Sequence, residues 1–402
     1  MPIWGRLYPV AAGIEPPADL EALARWMDRW GLLASQTLPA AARRQLEAVA
    51  SIPVETVNAG RTPASVSREV IRLPAEWEPS EAVVIAWPVV FPGLWGFFRD
   101  LVAALAPVVR VDVLLPHEIY ARAVLVYLGE RWHGHPHVRF LVTATNDIWV
   151  RDYGPLTCLD SAGERVVVDP VFDPGLAMPT DDDDAFPARY AAHEGFSCRH
   201  LPLRLEGGNL SSDGQGTIIA TDRLFAWNRH LPRDAVHERL REGLGAEALI
   251  VVAPLRMEDT GHVDVFVKLA TPDTVLVTQP GSIVNGRRLM EAAKVFRISR
   301  NALGSSYRVV VLPSAPAYLN WGIVPVRPNY ANALTVNGRV LVPIYRDRER
   351  DAAALAVYRQ VMPDHDIIGI DARIAANAGG TVHCLTMQIP AIASAADGSR
   401  ST

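Results

Sequence analysis

GGTVHCLTMQIP, residues 379–390, is the stretch on which the reading of this chain turns. Two glycines open it, His383 and Cys384 stand side by side, and an apolar run closed by a proline follows. Alone, the segment is ordinary. A cysteine in apolar surroundings is most often a core residue, and on a strand His383 and Cys384 point to opposite faces, which puts His383 behind Cys384. Upstream, polar or ionisable groups recur among small and turn-forming residues in NDIWVRDYGP (146–155), LEGGNL (205–210), DTGHVDVF (259–266) and YLNWG (318–322). Each has a plain structural reading as an ion-paired loop, a strand end or a satisfied histidine. Together they suggest chemistry. A cysteine acts at neutral pH when its thiol is activated by its surroundings or by a neighbouring acid–base group. One histidine with several carboxylates suits a cysteine hydrolase working on a cationic substrate.

Composition narrows the class. The 402 residues carry 39 Lys+Arg against 44 Asp+Glu, a formal charge of −5, and the pI is near 6.1. This is not the basic face that nucleic acid requires. No apolar run reaches the ~18 residues of a membrane span. The N-terminus lacks the charged and apolar regions of a signal peptide. The three cysteines, Cys158, Cys198 and Cys384, are odd in number and widely spaced. That fits neither a disulfide framework nor a zinc site and suggests the cytoplasm. Length alone allows two or three domains at ~150 residues each.

Residues 1–69 read as a helical extension. Asp19 is a candidate N-cap for a helix to Ala34, a second helix is expected near Ala40–Ala50, and VNAGRTPASVSR reads as a linker. Trp26, Trp30 and Leu32 could form an interface between copies. From Val70 short β-branched runs alternate with helical stretches, including Val109–Leu115, Val263–Leu269, Leu334–Pro343, Trp95–Leu105 and Arg348–Val361. This predicts an α/β chain, with a type I′ hairpin at Asn337-Gly338. Asp181–Asp184 reads as a solvated loop tip, or as an acidic loop near a cation. HGHPH (133–137) reads as a surface loop. Residues 393–402 read as a flexible tail.

In order, LPAEWEPSEAVVIAWP (73–88), NDIWVRDYGP, LEGGNL with DGQGT, GHVD (261–264), YLNWGIVPVRPNYAN (318–332) and GGTVHCLTMQIP make a stronger signal than any one of them. Over residues 70–392 the chain resembles the agmatine deiminase and bacterial peptidylarginine deiminase group of the guanidino-modifying, or pentein, superfamily. The resemblance implies a five-bladed α/β propeller of about 64 residues per unit, with no metal and no organic cofactor. It implies Cys384 as nucleophile, His262 as general acid–base, Asp152 and Asp264 as clamps for the guanidinium, and Glu206 as the acid that orients the histidine or contacts substrate. Asn320 matches a polar position of the group. Trp149 and Trp87 would wall the slot, and Arg151, Gly207 and Gly208 complete the substrate-binding set.

The chemistry agrees with these roles. A guanidinium is planar and stays protonated, with donors in a fixed fork that carboxylates bind bidentately. The implied reaction is hydrolytic deimination, most simply of agmatine to N-carbamoylputrescine and ammonia. Departures from the family pattern bear on the substrate. Residues 172–190 lack a tryptophan, and residues 89–100 and the extension are unusual. Arg189 or Arg99 could bind the carboxylate of free or peptidyl arginine. Two further readings are an amidinotransferase, in which an amine captures the intermediate, and a non-catalytic propeller that binds partners.

Overall fold

The computed structural model describes residues 15–33, 39–57, 64–65, 71–175, 179–281, 284–320 and 322–392. It has an α/β fold. Among the described residues the strands form five sheets of three or more strands, plus a separate hairpin at Tyr318–Asn320 and Val324–Val326.

The sheets share one plan. An antiparallel pair is followed by a helix, and the chain returns parallel to the second strand. Leu156–Asp160 and Arg165–Val171 lead through helix Phe186–Glu194 to Ser197–Arg204. Ser211–Ser212 and Thr217–Thr221 lead through Arg233–Leu244 to Ala248–Val252. Val267–Thr271 and Thr274–Thr278 lead through Gly286–Ile298 to Arg308–Leu312. Leu334–Val336 and Arg339–Ile344 lead through Arg348–Val361 to Asp366–Asp371. In the remaining sheet, Ser80–Ala86 and Arg110–Leu115 flank helix Trp95–Leu105, and the antiparallel partner is Met387–Pro390 from the far end of the chain.

Local chemistry explains the plan. Parallel strands need a long crossover, which the helices supply. Strands covered on both faces read as unbroken apolar runs, and TIIAT (217–221) and TVLVT (274–278) are buried throughout. Asn337 and Gly338 both have positive φ, 41° and 77°, as the expected type I′ turn requires. The turn splits the expected run Leu334–Pro343 into two strands. Asp347 caps helix Arg348–Val361 by accepting from the Arg350 N–H.

The N-terminal extension docks on the first sheet. Asp19 caps helix Leu20–Arg29, accepting from the Ala22 N–H at 2.7 Å. Leu23, Met27, Ala42 and Leu46 share one apolar cluster with Trp95, Phe98 and Val124. Trp26 packs 5.8 Å from Trp95 and 5.7 Å from Tyr120. Trp26 and Leu32 therefore serve the chain's own core, while Trp30 is 52% exposed. Glu55–Thr56 adds a parallel edge strand to Val138–Val142. The expected linker lies largely outside the described residues, but Ala64–Ser65 pairs with Ser197–Cys198.

The four-aspartate run is not a solvated loop tip. It is a helical turn. Asp183 is buried and accepts from the backbone N–H of Asn146 and Asp147, and Asp184 accepts from that of Phe172. Residues 133–137 join a short helical turn to a strand, with His137 Nδ1 2.7 Å from the Ala106 carbonyl.

Candidate active site

The candidate site residues occupy one repeated position, just ahead of the first strand of a sheet. Asp152 lies in the helical turn Val150–Tyr153 before Leu156–Asp160. Glu206 and Gly208 precede Ser211–Ser212, His262 and Asp264 precede Val267–Thr271, and Cys384 precedes Met387–Pro390. A residue there has left the hydrogen-bond ladder, so its side chain can turn towards a shared centre. This is why the strand expected from Val263 begins only at Val267. The N–H groups of Phe266 and Val267 fold back onto the Val263 carbonyl at 3.2 and 2.9 Å. Cys384 likewise lies in a turn rather than on a strand, with the Thr386 N–H donating to the His383 carbonyl at 3.1 Å.

Asp152, Glu206, His262, Asp264 and Cys384 are all buried. His262 Nε2 is 2.7 Å from Glu206 Oε2, and its Nδ1 is 3.5 Å from Asp152 Oδ1. Cys384 Sγ is 3.8 Å from Asp264 Oδ2. Among these five residues, two buried polar atoms have no hydrogen-bond partner, Asp264 Oδ1 and His262 Nδ1. Such atoms are costly unless a ligand satisfies them.

Glycine 208 sits among these groups. A Cβ there would lie 2.5 Å from His262 Nδ1, 2.7 Å from Asp152 Oδ1 and 3.2 Å from Asp264 Oδ2. Its N–H donates to Asp152 Oδ1 at 3.2 Å, and its carbonyl accepts from the Asp264 N–H at 3.3 Å. Gly208→Ala is expected to displace all three side chains and lower kcat/KM for ammonia release by about 10²-fold, the usual scale for misplacement near 1 Å. Wild-type kcat/KM in that variant would contradict the geometry. Gly207 is confined from the other side, where a Cβ would meet the Arg151 carbonyl at 2.2 Å.

Burial lowers the His262 pKa, but Asp152, the bond to Glu206 and Asp264 more than offset this and hold it at about 9. The Cys384 thiol is pushed well above its ordinary value by burial, then by Asp264 and Asp152, against the opposing pull of the Thr381 N–H and the Asn332 amide. In the free protein at neutral pH the pair is thus thiol and imidazolium.

Behind Asp264 lies a second ionic layer. His383 Nδ1 is 2.8 Å from Asp264 Oδ2, and its Nε2 is 2.9 Å from Glu76 Oε1. Lys268 pairs with Glu76 Oε2. His383 therefore stands behind the site, as expected, although not by strand alternation. Burial raises the Glu76 carboxyl, but Lys268 and His383 hold it well below the usual range.

The other expected residues divide. Trp149 packs beside Cys384, where a Cβ on Gly380 would meet its ring at 2.3 Å and the Cys384 Cβ at 2.9 Å. Arg151 is buried behind the Cys384 turn. Its N–H donates to the Cys384 carbonyl at 3.2 Å and its Nε to the His383 carbonyl at 3.4 Å, so it braces backbone. Trp87 is a core residue packed on Trp95 and Phe98 at 5.3 and 5.6 Å. Asn320 pairs with Val324 in the outer hairpin and does not line the Cys384 cavity. The asparagine at the site is Asn332, which hydrogen-bonds both Asp264 and Cys384. Its place two residues before Leu334–Val336 matches the rule above, and that was the signal available in the sequence.

Cys384 opens onto a cavity of about 630 Å³ whose walls include Phe266, Gln279, Arg327, Asn332 and Thr381. Arg189 and Arg99 do not line it; Arg189 is held by Asp182 and the Ala144 carbonyl, and Arg99 by Asp100. Asp152, Glu206 and His262 offer ligand atoms within 4.8 Å of one another, a donor set able to receive a cation, metallic or organic. Among the described residues no helix is long and apolar enough to cross a membrane.

Residues 72–390 match the family described as Porphyromonas-type peptidyl-arginine deiminase. The chain is 30% identical to the agmatine deiminase of Pseudomonas putida over 354 residues, covering 79% of this chain and 95% of that protein. It is 31% identical to the agmatine deiminase of Pseudomonas aeruginosa over 353 residues, covering 80% and 95%. The structure of agmatine deiminase from Enterococcus faecalis superposes with a TM-score of 0.73 at 24% identity, over 83% of this chain and 99% of that one. The chain belongs to the Porphyromonas-type peptidyl-arginine deiminase family and is a hydrolase of C–N bonds.

Proposed function

We propose that this protein hydrolyses agmatine to N-carbamoylputrescine and ammonia through a covalent intermediate on Cys384, in a closed five-bladed α/β propeller. The carrying observation is the pair of buried atoms without a hydrogen bond, Asp264 Oδ1 and His262 Nδ1, beside Asp152 and the Cys384 thiol. Repetition of one strand–strand–helix–strand plan, with the last strand joining the first sheet, supports the propeller. Kinship with agmatine deiminases at about the same length supports the substrate.

Asp152 and Asp264 receive the guanidinium and orient its fork, which offsets the cost of burying its charge. The same cation cancels the field of the two carboxylates that hold the thiol up, so binding favours release of the thiol proton to solvent. Sulfur attacks the central carbon and forms a C–S bond. His262, protonated below about pH 9, gives its proton to the departing nitrogen. The C–N bond breaks, ammonia leaves, and an S-alkylthiouronium remains on Cys384. His262, now neutral, takes a proton from water, whose oxygen attacks the same carbon. The C–S bond breaks, its electron pair and the proton of the added hydroxyl return to sulfur, and the ureido product leaves, with the thiol and imidazolium restored. Such acid–base assistance supplies about 10²–10⁴ in rate. The partner is the small guanidine, and the chemistry is compatible with a cytoplasmic setting.

An ammonia-release screen over agmatine, arginine, methylated arginines and a peptidyl-arginine tests the assignment. Agmatine is expected to give the highest kcat/KM. No ammonia from agmatine, with turnover of an arginine compound, would overturn the substrate.

A further inference from the structure

Asn332 is buried and makes side-chain contacts that tie three parts of the site together. Its Oδ1 accepts from Thr381 Oγ1 at 2.7 Å and from the Cys384 N–H at 3.3 Å. Two donors on that side fix which way the amide faces. Its Nδ2 therefore presents both hydrogens to Asp264 Oδ2, at 3.0 Å, and to Cys384 Sγ, at 3.2 Å. The Asn332 backbone is held as well. Its N–H donates to Asn329 Oδ1 at 2.9 Å, and its carbonyl accepts from the His383 N–H at 3.2 Å.

We propose that Asn332 is a further catalytic residue, whose amide N–H stabilises the Cys384 thiolate and locks the nucleophile to the Asp264 clamp. The charged groups around the sulfur include Asp264, Asp152 and Arg151, with the His262 imidazolium held by Asp152 and Glu206. The two carboxylates oppose ionisation, and Arg151 is committed to the backbone of the turn. Two neutral donors favour the thiolate, the Thr381 N–H and, by a smaller amount, the Asn332 amide, and of the two Asn332 is the one that also holds Asp264. A hydrogen bond to an ionised acceptor is roughly twice as strong as a neutral one, so this N–H strengthens as the thiol loses its proton. Because the second hydrogen of the same amide holds Asp264 Oδ2, the unpartnered Oδ1 stays directed at the substrate while the sulfur is held beside it.

The inference deepens the deiminase reading, and its test does not require turnover. The pH dependence of Cys384 alkylation by iodoacetamide is followed by mass spectrometry, which separates Cys384 from Cys158 and Cys198. In Asn332→Asp and Asn332→Ala the alkylation midpoint is expected to rise by about one unit, which is about tenfold slower reaction near neutral pH. Thr381→Val, which frees one side of the amide, should shift it the same way by less. The kcat/KM for ammonia release should fall by about 10²–10³, the scale for losing one preorganised donor. An unchanged alkylation midpoint in a folded Asn332 variant would overturn the proposal; if neither folds, an unchanged midpoint in Thr381→Val does so. Wild-type protein that alkylates as predicted but releases no ammonia from any guanidine would sink the deiminase reading and leave the role of Asn332 at the thiol standing.

Discussion

Cys384→Ala is expected to remove ammonia release altogether, a loss on the order of 10⁴-fold or more, since deleting a nucleophile removes the covalent route and leaves only binding and electrostatics. The fold should survive. The cysteine lies in a turn held by backbone contacts from Arg151 and Asn332, which alanine keeps. The volume lost is one sulfur atom next to an existing cavity, a site where the surroundings need not collapse. Thermal unfolding should therefore stay close to wild type, and guanidine binding by the inactive protein should persist through Asp152 and Asp264. A folded variant with wild-type ammonia release would remove Cys384 from the chemistry.

Asp264→Asn should be nearly as damaging, for a different reason. The change keeps the shape but removes the charge that meets the guanidinium, and it leaves His383 Nδ1 facing an amide. Breaking a buried charge pair by removing one partner costs about 3–5 kcal/mol, so kcat/KM should fall by about 10²–10³ or more. The variant also has a signature that a merely unfolded or loosened site lacks. Asp264 is, after burial, the largest cause of the raised thiol pKa. Without it Cys384 should alkylate at lower pH than wild type, while turnover collapses. Unchanged kcat/KM would contradict the clamp, and an alkylation midpoint that did not fall would contradict the electrostatics.

The residues that converge were legible because each stands in a short polar segment among small residues, where a strand is about to begin. Cys384, His262, Asp152, Asp264 and Glu206 all come together as a cluster. Regular elements with strong periodicity were legible too, as in Trp95–Leu105, Thr274–Thr278 and Arg348–Val361. What was not legible depends on contacts distant in sequence. Glu76 and Lys268 are separated by 192 positions, and nothing local in either marks the pair. Asn332 and Asn320 share one motif-like stretch; the strand that follows Asn332 is a local sign, but the outer hairpin that takes Asn320 away from the site has none. Trp87 follows a strand in the first sheet and resembles a wall residue, but its neighbours Trp95 and Phe98 place it in the core. Glu55–Thr56 and Ala64–Ser65 are too short to carry a period-2 pattern, so their pairing with distant strands has no local signal. The buried Asp183 was hidden by its own composition, because a run of four acids reads as solvated unless the backbone N–H groups it caps are known.

The most direct measurement is the mass of the Cys384 peptide after wild-type protein is mixed with agmatine and quenched in acid within a turnover. A mass increase of one agmatine less one ammonia, located on Cys384 and lost as N-carbamoylputrescine accumulates, is the predicted result. Steady release of ammonia from agmatine with Cys384 unmodified at every time point, or with the adduct on another residue, would contradict the account.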